Sequence, residues 1–197
     1  MFVTFEGPEG AGKSTAIAVV AEALRARGFD VLTTREPGAG ATGKGIRALL
    51  LDSDDLDSRT ELFLFLADRA QHVASLIRPA LEAGRVVLCD RHADSTVVYQ
   101  GYGRGLDIDW LRSLNAFATG ELKPDLTVLF DLEPAVGLAR LKSKDRLDRE
   151  PLAFHTAVRN GFLVEAAREP ERWRIIDASA PPEQVAQAAL DAISLRK

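Results

Sequence analysis

Short apolar runs alternate along the chain with longer stretches in which apolar residues recur at helical spacing. Runs of strand length lie at residues 2–5, 31–34, 86–89, 126–130 and 173–176. After the first run, Ile17, Val20, Ala21 and Leu24 follow the i, i+3, i+4, i+7 pattern of a helix that ends near Gly28. Strands that alternate with helices are typical of a parallel sheet covered on both faces. The pattern therefore predicts a three-layer α/β fold with a five-stranded parallel sheet flanked by helices on both faces.

A long helix is predicted from about residue 59 to residue 78. Its apolar stripe consists of Leu62, Leu66, Val73 and Ile77, and an adjacent stripe carries Phe65, Arg69 and His72. Shorter helices are predicted near residues 95–100, 110–118, 135–141 and 151–168, and a last helix from the Pro181-Pro182 pair to Leu195. Aromatic residues of these helices, Trp110 and Phe117 among them, are interpreted as core, and His92 as a residue that lines the cleft.

One charge-dense segment, ARLKSKDRLDRE, interrupts the helical pattern at residues 139–150. It is typical of a mobile surface flap, and we call residues 140–150 the lid. The chain has no internal repeat or low-complexity segment, so a single domain over residues 1–197 is expected.

Composition narrows the possible partners. Lys and Arg number 25 against 29 Asp and Glu, and the net charge of -4 argues against general binding to nucleic acid or to an anionic membrane. The single cysteine, Cys89, excludes an intramolecular disulfide. Because the N-terminus enters a strand at once and no apolar run has 18 residues, we expect a soluble, cytoplasmic protein.

The stretch GPEGAGKST matches the pattern G-x-x-x-x-G-K-[ST] of a phosphate-binding loop. Its glycines let backbone N–H groups face an anion, and the helix that follows adds its positive end. Lys13 is predicted to contact the β- and γ-phosphates, and Ser14 to bind Mg²⁺. The alternative is a glycine-rich turn without a ligand, which the preceding strand and following helix disfavour. The predicted ATP-binding residues of the loop are Gly7, Pro8, Glu9, Gly10, Ala11, Gly12, Lys13, Ser14 and Thr15.

The third strand runs directly into Asp90 and Arg91, as VVLCDR. Both should emerge at the carboxyl edge of the sheet, where open α/β sheets bind ligands. Asp90 is predicted to hold Mg²⁺ through water and Arg91 to bind a phosphate, whereas the alternative is a surface ion pair. These residues together indicate a nucleoside triphosphate with Mg²⁺.

The lid favours a kinase with a small acceptor over other phosphate-loop proteins. No N-K-x-D run, with which small GTPases bind guanine, follows the later strands. A kinase must keep water from the γ-phosphoryl group, and a closing lid with cations excludes water and neutralises charge. The lid carries Arg140, Lys142, Lys144, Arg146 and Arg149. A solvated helix face is the other interpretation of such a run.

Five blocks in order, FEGPEGAGKST, REPG, LFLFLADRAQH, CDRHADSTVVYQG and LDRE, resemble the bacterial thymidylate kinase family, and an IDAS turn near the C-terminus continues the likeness. The resemblance implies a phosphate-loop fold and transfer of the γ-phosphoryl group of ATP to dTMP, giving dTDP, with Mg²⁺. It also implies a homodimer. Two alternatives stay open: another nucleoside or nucleoside monophosphate kinase, and a non-catalytic ATP-binding module.

The resemblance further implies a dTMP site. Phe65 would stack on thymine, Arg69 would donate to its carbonyl edge, Thr96 would bond the pyrimidine edge, and Tyr99 would disfavour a ribose 2'-hydroxyl. Glu9 would accept from the 3'-hydroxyl. The remaining residues, around the acceptor phosphate, are Arg35, Glu36, Pro37, Arg47 and Arg91. Judged from periodicity alone, Phe65 is core and Arg69 a surface charge.

On the donor side, Arg140 would stack on adenine, and the turn with Ala178 and Ser179 would close the other side of the base. The catalytic set is predicted as Lys13, Arg91, Arg146 and Arg149, with Lys144 in reserve. Two features depart from the family pattern. The last glycine of REPG begins the run GAGAT, Gly38 to Thr42, which leaves the path of that loop open. The lid has lysines where relatives have arginines, and a lysine cannot bind a phosphate bidentately.

Overall fold

The five predicted strands are confirmed in the structure, a computed structural model that describes residues 1–53 and 55–193. They are β1 (Phe2–Glu6), β2 (Val31–Arg35), β3 (Val86–Asp90), β4 (Leu126–Asp131) and β5 (Trp173–Asp177). All pair in parallel, in the order β2-β3-β1-β4-β5. Each strand extends one residue beyond its apolar run, to a charged residue at the carboxyl edge. That edge therefore carries Glu6, Arg35, Asp90, Asp131 and Asp177.

The helices are α1 (Lys13–Ala26), α2 (Gly40–Asp52), α3 (Ser58–His72), α4 (Arg78–Glu82), α5 (Ala93–Thr96), α6 (Ile108–Thr119), α7 (Pro134–Arg140), α8 (Leu152–Arg168) and α9 (Pro182–Ala192). A π-helical turn, Val73–Ile77, joins α3 to α4, and a second, Val97–Gly103, follows α5. The predicted helices are thus confirmed. The last helix ends at Ala192, and Ile193, which was predicted as helical, is already outside it, while positions 194 and 195 lie outside the described residues.

Both faces of the sheet are covered, as the three-layer prediction required. Val3 and Phe5 point to one face and pack with α1 and α9, through residues such as Leu24 and Leu190. Phe2 points to the other face and packs with Ile77 and the turn after α3. Because β1 is buried along its whole length, its carboxyl end and the loop after it have a rigid support.

Helix α2 was not predicted, and two aromatic residues were predicted wrongly. In α2 only Gly43 and Leu50 are buried, so the sequence shows no apolar stripe there. Trp110 and Phe117 on α6 are 45% and 88% exposed and are not core, whereas Trp173 is buried. None of the described helices is long and apolar enough to cross a membrane.

Candidate active site

A cleft of about 430 Å³ opens at the carboxyl edge of the sheet. The phosphate loop forms one end, and the other end lies between α3 and the segment that follows Arg91. Its lining includes most of the predicted site residues: Glu9, Gly10, Ala11, Gly12, Lys13, Ser14, Thr15, Arg35, Glu36, Pro37, Arg47, Phe65, Arg69, Asp90, Arg91, Thr96, Tyr99 and Arg140. Residues predicted to hold two different ligands thus share one cavity, of a size typical of small-molecule sites.

The phosphate loop needs glycine at two close approaches. A Cβ on Gly7 would lie 2.4 Å from the carbonyl oxygen of Phe130, and one on Gly10 would lie 2.1 Å from that of Gly137. Both glycines have positive φ angles, 138° and 67°, which L residues rarely adopt. The loop is therefore pressed against the end of β4 and against α7.

Lys13 is the first residue of α1 and lies almost buried inside the loop. Its Nζ donates to the carbonyl oxygens of Gly7 (3.0 Å) and Pro8 (2.8 Å). Burial, and then the nearby charge of Arg91, lowers the pKa of Lys13 to about 8. Gly7 and Pro8 thus hold the Lys13 ammonium in place through their carbonyl oxygens.

The two predicted Mg²⁺ ligands are in contact: Ser14 Oγ donates to Asp90 Oδ2 at 2.7 Å. A hydroxyl and a carboxylate at the mouth of a phosphate loop are oxygen ligands of the kind that Mg²⁺ prefers, alongside phosphate oxygens and water. No cluster of three or more His, Cys, Asp or Glu residues suited to a metal occurs among the described residues. The Ser14 hydroxyl and the Asp90 carboxylate fit a metal ion whose other ligands come from the nucleotide and from water.

Glu9, the acid within the phosphate loop, is held by two donors. Arg91 Nη2 and the Tyr99 hydroxyl donate to its Oε1 at 2.7 and 2.6 Å. Burial alone would raise the pKa of Glu9, but the charges of Arg91 and Lys13 and the hydrogen bonds lower it to about 2. The acid thus stays ionised and fixes the arginine beside the loop.

Arg69 is fully buried yet lines the cleft. Its Nε donates to Glu36 at 2.9 Å, its Nη1 to Thr96 (2.8 Å) and Asn115 (2.7 Å), and its Nη2 to the His92 carbonyl (3.0 Å). A guanidinium has five N–H donors, so these contacts within the described residues leave one on Nη2 for a ligand. The interpretation of Arg69 as a surface charge is wrong.

Glu36 is the centre of a buried polar cluster. Its Oε1 lies 2.9 Å from His72 Nδ1 and 2.8 Å from His92 Nδ1, while its Oε2 accepts from Arg69. Although burial opposes ionisation, the charges of His92 and Arg69 hold the pKa of Glu36 well below its ordinary value. His92 is fully buried and is not among the residues that line the cleft, which corrects its predicted position.

Two further arginines lie near the acceptor end. Arg35 ends β2 and is exposed at the cleft, and Arg47 of α2 donates through Nη1 to the carbonyl oxygen of Pro37 at 3.0 Å. Burial, and then the positive charge of Arg35, lowers the pKa of Arg47. Two cations that repel each other across a cleft favour an anion between them. Phe65, half-buried, presents its ring to the same cavity.

The lid cations are divided between two locations. Arg140 lines the cleft, and its Nη1 donates to the carbonyl oxygens of Gly10 (3.3 Å) and Ala178 (3.2 Å). Ser179 lies at the turn beside it, with its N–H donating to Asp177. Arg140 therefore links the lid to the phosphate loop.

Arg146 and Arg149 lie outside the main cleft and line a neighbouring hollow. The Nη2 of Arg146 pairs with Glu61 at 2.5 Å and its Nε donates to the Leu50 carbonyl, while Arg149 Nη2 donates to the Lys144 carbonyl. In this structure the two predicted catalytic arginines therefore do not line the cavity that holds Lys13, because Glu61 and the lid backbone bind them.

Several residues that line or support the cleft had no sequence motif to reveal them. Ser95, Gln100 and Asp145 line the cavity, Asn115 binds its Arg69, and Glu61 binds Arg146 of the lid. Asn115 could have been identified from the sequence, since it is a polar residue on the apolar side of the amphipathic α6. Glu61 directly precedes the buried Leu62, and nothing in the sequence around it indicates that it is buried or paired with an arginine.

Comparisons with known proteins agree on one family. The family model described as thymidylate kinase matches residues 5–189. A thymidylate kinase of Desulfovibrio desulfuricans is 58% identical over 98% of this chain and 94% of its own length, and one of Thermomicrobium roseum is 54% identical over 95% and 91%. The crystal structure of thymidylate kinase from Ehrlichia chaffeensis is 35% identical, superposes with a TM-score of 0.77, and is matched over 89% of this chain and 91% of that chain.

Proposed function

This chain belongs to the thymidylate kinase family and is a phosphotransferase, and we infer from its cleft how it converts dTMP and ATP into dTDP and ADP. One observation supports the mechanism most strongly. A phosphate loop and a buried arginine with one remaining N–H donor line the same cavity. That arrangement allows two nucleotides to bind end to end.

At the acceptor end, we propose that Phe65 stacks on the thymine ring and that the remaining Nη2–H of Arg69 donates to a thymine carbonyl oxygen. Thr96 Oγ1 already accepts from Arg69, so its own proton and second lone pair are directed to the base. A cytosine would present an amino donor to Arg69, and this supports a preference for thymine. Tyr99, fixed by Glu9, lies at the sugar.

The acceptor phosphate is proposed to lie among Arg35, Arg47 and Arg91, with Glu36 and Pro37 shaping the pocket. Glu9 Oε1 is engaged by Arg91 and Tyr99, so its other oxygen is the one offered to the 3'-hydroxyl. This positions the acid at the sugar while its charge holds Arg91 at the phosphate.

At the donor end, the backbone N–H groups of residues 9–15 and the ammonium of Lys13 bind the phosphates of ATP, Gly7 and Pro8 support Lys13 through their carbonyl oxygens, and Arg140 contacts the adenine. Ser14 and Asp90 would hold Mg²⁺, which supplies charge neutralisation at the phosphates. The acceptor phosphate oxygen is a nucleophile at neutral pH, so the protein supplies in-line positioning and charge stabilisation.

A lid cation is proposed to neutralise the transferred phosphoryl group. Arg146, Arg149 and Lys144 are its candidates, and Lys144 is exposed on the same segment. The pairing of Arg146 with Glu61 supports an anchoring role for Arg146 in addition. Lid cations act by moving onto the bound nucleotide, so Arg146 or Arg149 would exchange its present partners for phosphate oxygens when the lid closes.

The test is ADP formation by the purified protein with ATP and Mg²⁺, using dTMP, dUMP, dCMP, dGMP or thymidine as acceptor. We expect turnover with dTMP and weak turnover with dCMP, because of the donor on Arg69. Preference for another acceptor would indicate a different monophosphate or nucleoside kinase. ATP hydrolysis that ignores every acceptor would indicate a non-catalytic nucleotide-binding role.

We also propose that the protein is a homodimer in the cytoplasm. Phe63 on α3 is 56% exposed, Leu49 on α2 is 55% exposed, and Phe117 on α6 is 88% exposed. These helices are neighbours, since α2 and α6 both pack against α3, and apolar residues exposed on adjacent helices are typical of an interface. Light scattering should give twice the mass of the chain, and Phe63→Glu with Phe117→Glu should give the single mass.

A further inference from the structure

Glu6 is a buried carboxylate to which the mechanism above gives no role. It is the last residue of β1, directly before the phosphate loop, and is fully buried. It does not line the cleft. A buried carboxylate requires strong hydrogen-bond donors, so its partners indicate what it holds in place.

Among the described residues, both hydrogen-bond donors to the Glu6 side chain follow Arg91 in the chain. The backbone N–H of His92 donates to Glu6 Oε1 at 2.8 Å, and the Ser95 hydroxyl donates to Glu6 Oε2 at 2.6 Å. On the other side of the same turn, the Arg91 N–H donates to the carbonyl oxygen of Phe5 at 3.0 Å. The end of β1 therefore binds the chain at Arg91 and immediately after it.

The turn that these contacts hold is unusual for an arginine. Arg91 has φ +66°, in the left-handed region that L side chains other than Asn and Asp rarely adopt. Such a conformation persists when the surrounding contacts fix it. Here it directs the guanidinium to Glu9 and into the cleft.

Ser95 connects the carboxylate to the guanidinium itself. A hydroxyl has one proton, and Ser95 gives it to Glu6, so its lone pairs face Arg91 Nη1 at 3.3 Å. The carboxylate thus determines that Ser95 acts as an acceptor toward Arg91.

We propose that Glu6 is the positioning residue of Arg91: through the His92 amide and the Ser95 hydroxyl it fixes the turn that presents the guanidinium to Glu9 and to the acceptor phosphate. The part of this inference that concerns the acceptor phosphate rests on the proposed function. The part that concerns Arg91 itself rests on the hydrogen bonds alone.

The decisive experiment is a double-mutant cycle with Glu6→Gln and Arg91→Ala. Glutamine has the same shape and keeps an oxygen for His92, but its NH₂ group faces Ser95 as a donor. Burial, and then the charge of Asp94, raises the pKa of Glu6 to about 7, so assays belong at pH 8, where the carboxylate predominates. Two positively charged groups, Arg91 and Lys13, lie near the Glu6 carboxylate and interact with its charge.

We expect Glu6→Gln to lower kcat/KM for dTMP by about tenfold while KM for ATP stays unchanged, because misplacing one catalytic cation affects the acceptor end. In the Arg91→Ala background, Glu6→Gln should change kcat/KM by less than about twofold. Equal losses in both backgrounds, or no loss in either, would overturn the proposal.

Glu165→Gln is the matched control. Glu165 is also a buried carboxylate, bound by Arg112 and the Tyr102 hydroxyl away from the cleft. It should lower the melting temperature without changing the kinetic constants. If Glu6→Gln does not fold, Ser95→Ala is used in its place. It should lower kcat/KM for dTMP less than tenfold and leave KM for ATP unchanged. In the Arg91→Ala background it should again have almost no effect.

A readout without substrate separates this inference from the proposed function. The Arg91 Nε–Hε signal in ¹⁵N NMR spectra, assigned by its loss in Arg91→Ala, should be resolved in the parent protein and move to the position of exposed arginines in Glu6→Gln. An unmoved signal would refute the positioning role even if dTMP is phosphorylated. A protein without dTMP kinase activity whose Arg91 signal moves would refute the proposed function alone.

Discussion

Arginines in the body of the cleft are held differently from the cations of the lid. Arg69 donates four hydrogen bonds and is fully buried, and Arg91 binds Glu9 and lies over the Tyr99 ring. Lys142 and Lys144 are exposed on a segment without helix or strand. A fixed cation needs no reorganisation during the reaction, whereas a lid cation must leave one environment for another. The proposed mechanism therefore asks different things of the two sets: the cleft arginines act from fixed positions, whereas the lid cations act after the lid closes.

The largest loss is expected when a fixed cation is removed. Arg91→Ala should lower kcat by about 10³-fold, which is typical of an arginine that stabilises phosphoryl transfer. It also leaves Glu9 with Tyr99 as its remaining side-chain donor in the described part of the chain. Steady-state kinetics at saturating ATP and dTMP measure the loss. Arg168→Ala, an exposed arginine on α8, should leave kcat unchanged. A loss of less than tenfold for Arg91→Ala would remove Arg91 from the catalytic set.

Lid substitutions should have the next largest effect. Arg146→Ala or Arg149→Ala is expected to lower kcat at least about tenfold with little change in KM, because a cation of the transition state is lost. If neither variant slows turnover tenfold, the lid assignment of these arginines is wrong.

Glu61→Gln distinguishes the two roles of Arg146. The Glu61 carboxylate binds Arg146, Arg104 and Gln100 and is almost fully buried. If Arg146 only anchors the lid, Glu61→Gln and Arg146→Ala should lower kcat equally and not add in the double variant. If Arg146 contacts the phosphoryl group, Arg146→Ala should have a much lower kcat than Glu61→Gln.

A smaller effect is expected where the lid's supporting helix meets the phosphate loop. A Cβ on Gly137 of α7 would lie 2.1 Å from the Glu9 carbonyl oxygen, so Gly137→Ala must displace the loop. We expect KM for ATP to rise about fivefold or more, since a displacement near 1 Å can cost up to 10²-fold. Gly45→Ala on α2 has nothing within 4 Å and should instead stabilise the fold by about 0.5–1 kcal/mol. An unchanged KM for ATP in Gly137→Ala would show that the phosphate loop accommodates a Cβ at this position without losing its geometry.

The last prediction is measured on stability rather than on turnover. The pKa of Glu36 is held well below its ordinary value of 4.5, so the folded state binds fewer protons there than the unfolded chain. Its contribution is present above pH 4.5 and is lost as pH falls below that value. The melting-temperature advantage of the parent protein over Glu36→Gln should therefore be largest near pH 7 and shrink below pH 4.5. An advantage that does not vary with pH would contradict the ionised state of Glu36.

The strands and most helices followed from local patterns because apolar periodicity reflects which face of an element is buried. The pattern failed where helices pack through glycine or expose aromatic residues. Helix α2 buries Gly43 and Leu50 only, and Phe117 faces outward on a helix whose other side is core. The composition of α2 does not reveal that α3 packs against it, and the composition of α6 does not reveal that the described residues leave Phe117 uncovered.

Local sequence by itself determined the phosphate loop, since nine adjacent residues carry their own backbone geometry. It also determined where the five strands lie along the chain. Tertiary structure alone decided which polar residues meet. Glu6 lies 86 positions from His92, Arg69 lies 46 from Asn115, and Arg146 lies 85 from Glu61. The parallel sheet brings Glu6, at the end of β1, to the chain that follows β3, while Arg69 meets Asn115 where α3 packs against α6, and Arg146 meets Glu61 where the lid contacts α3. No spacing along the chain encodes these contacts, because each depends on how separate elements pack together.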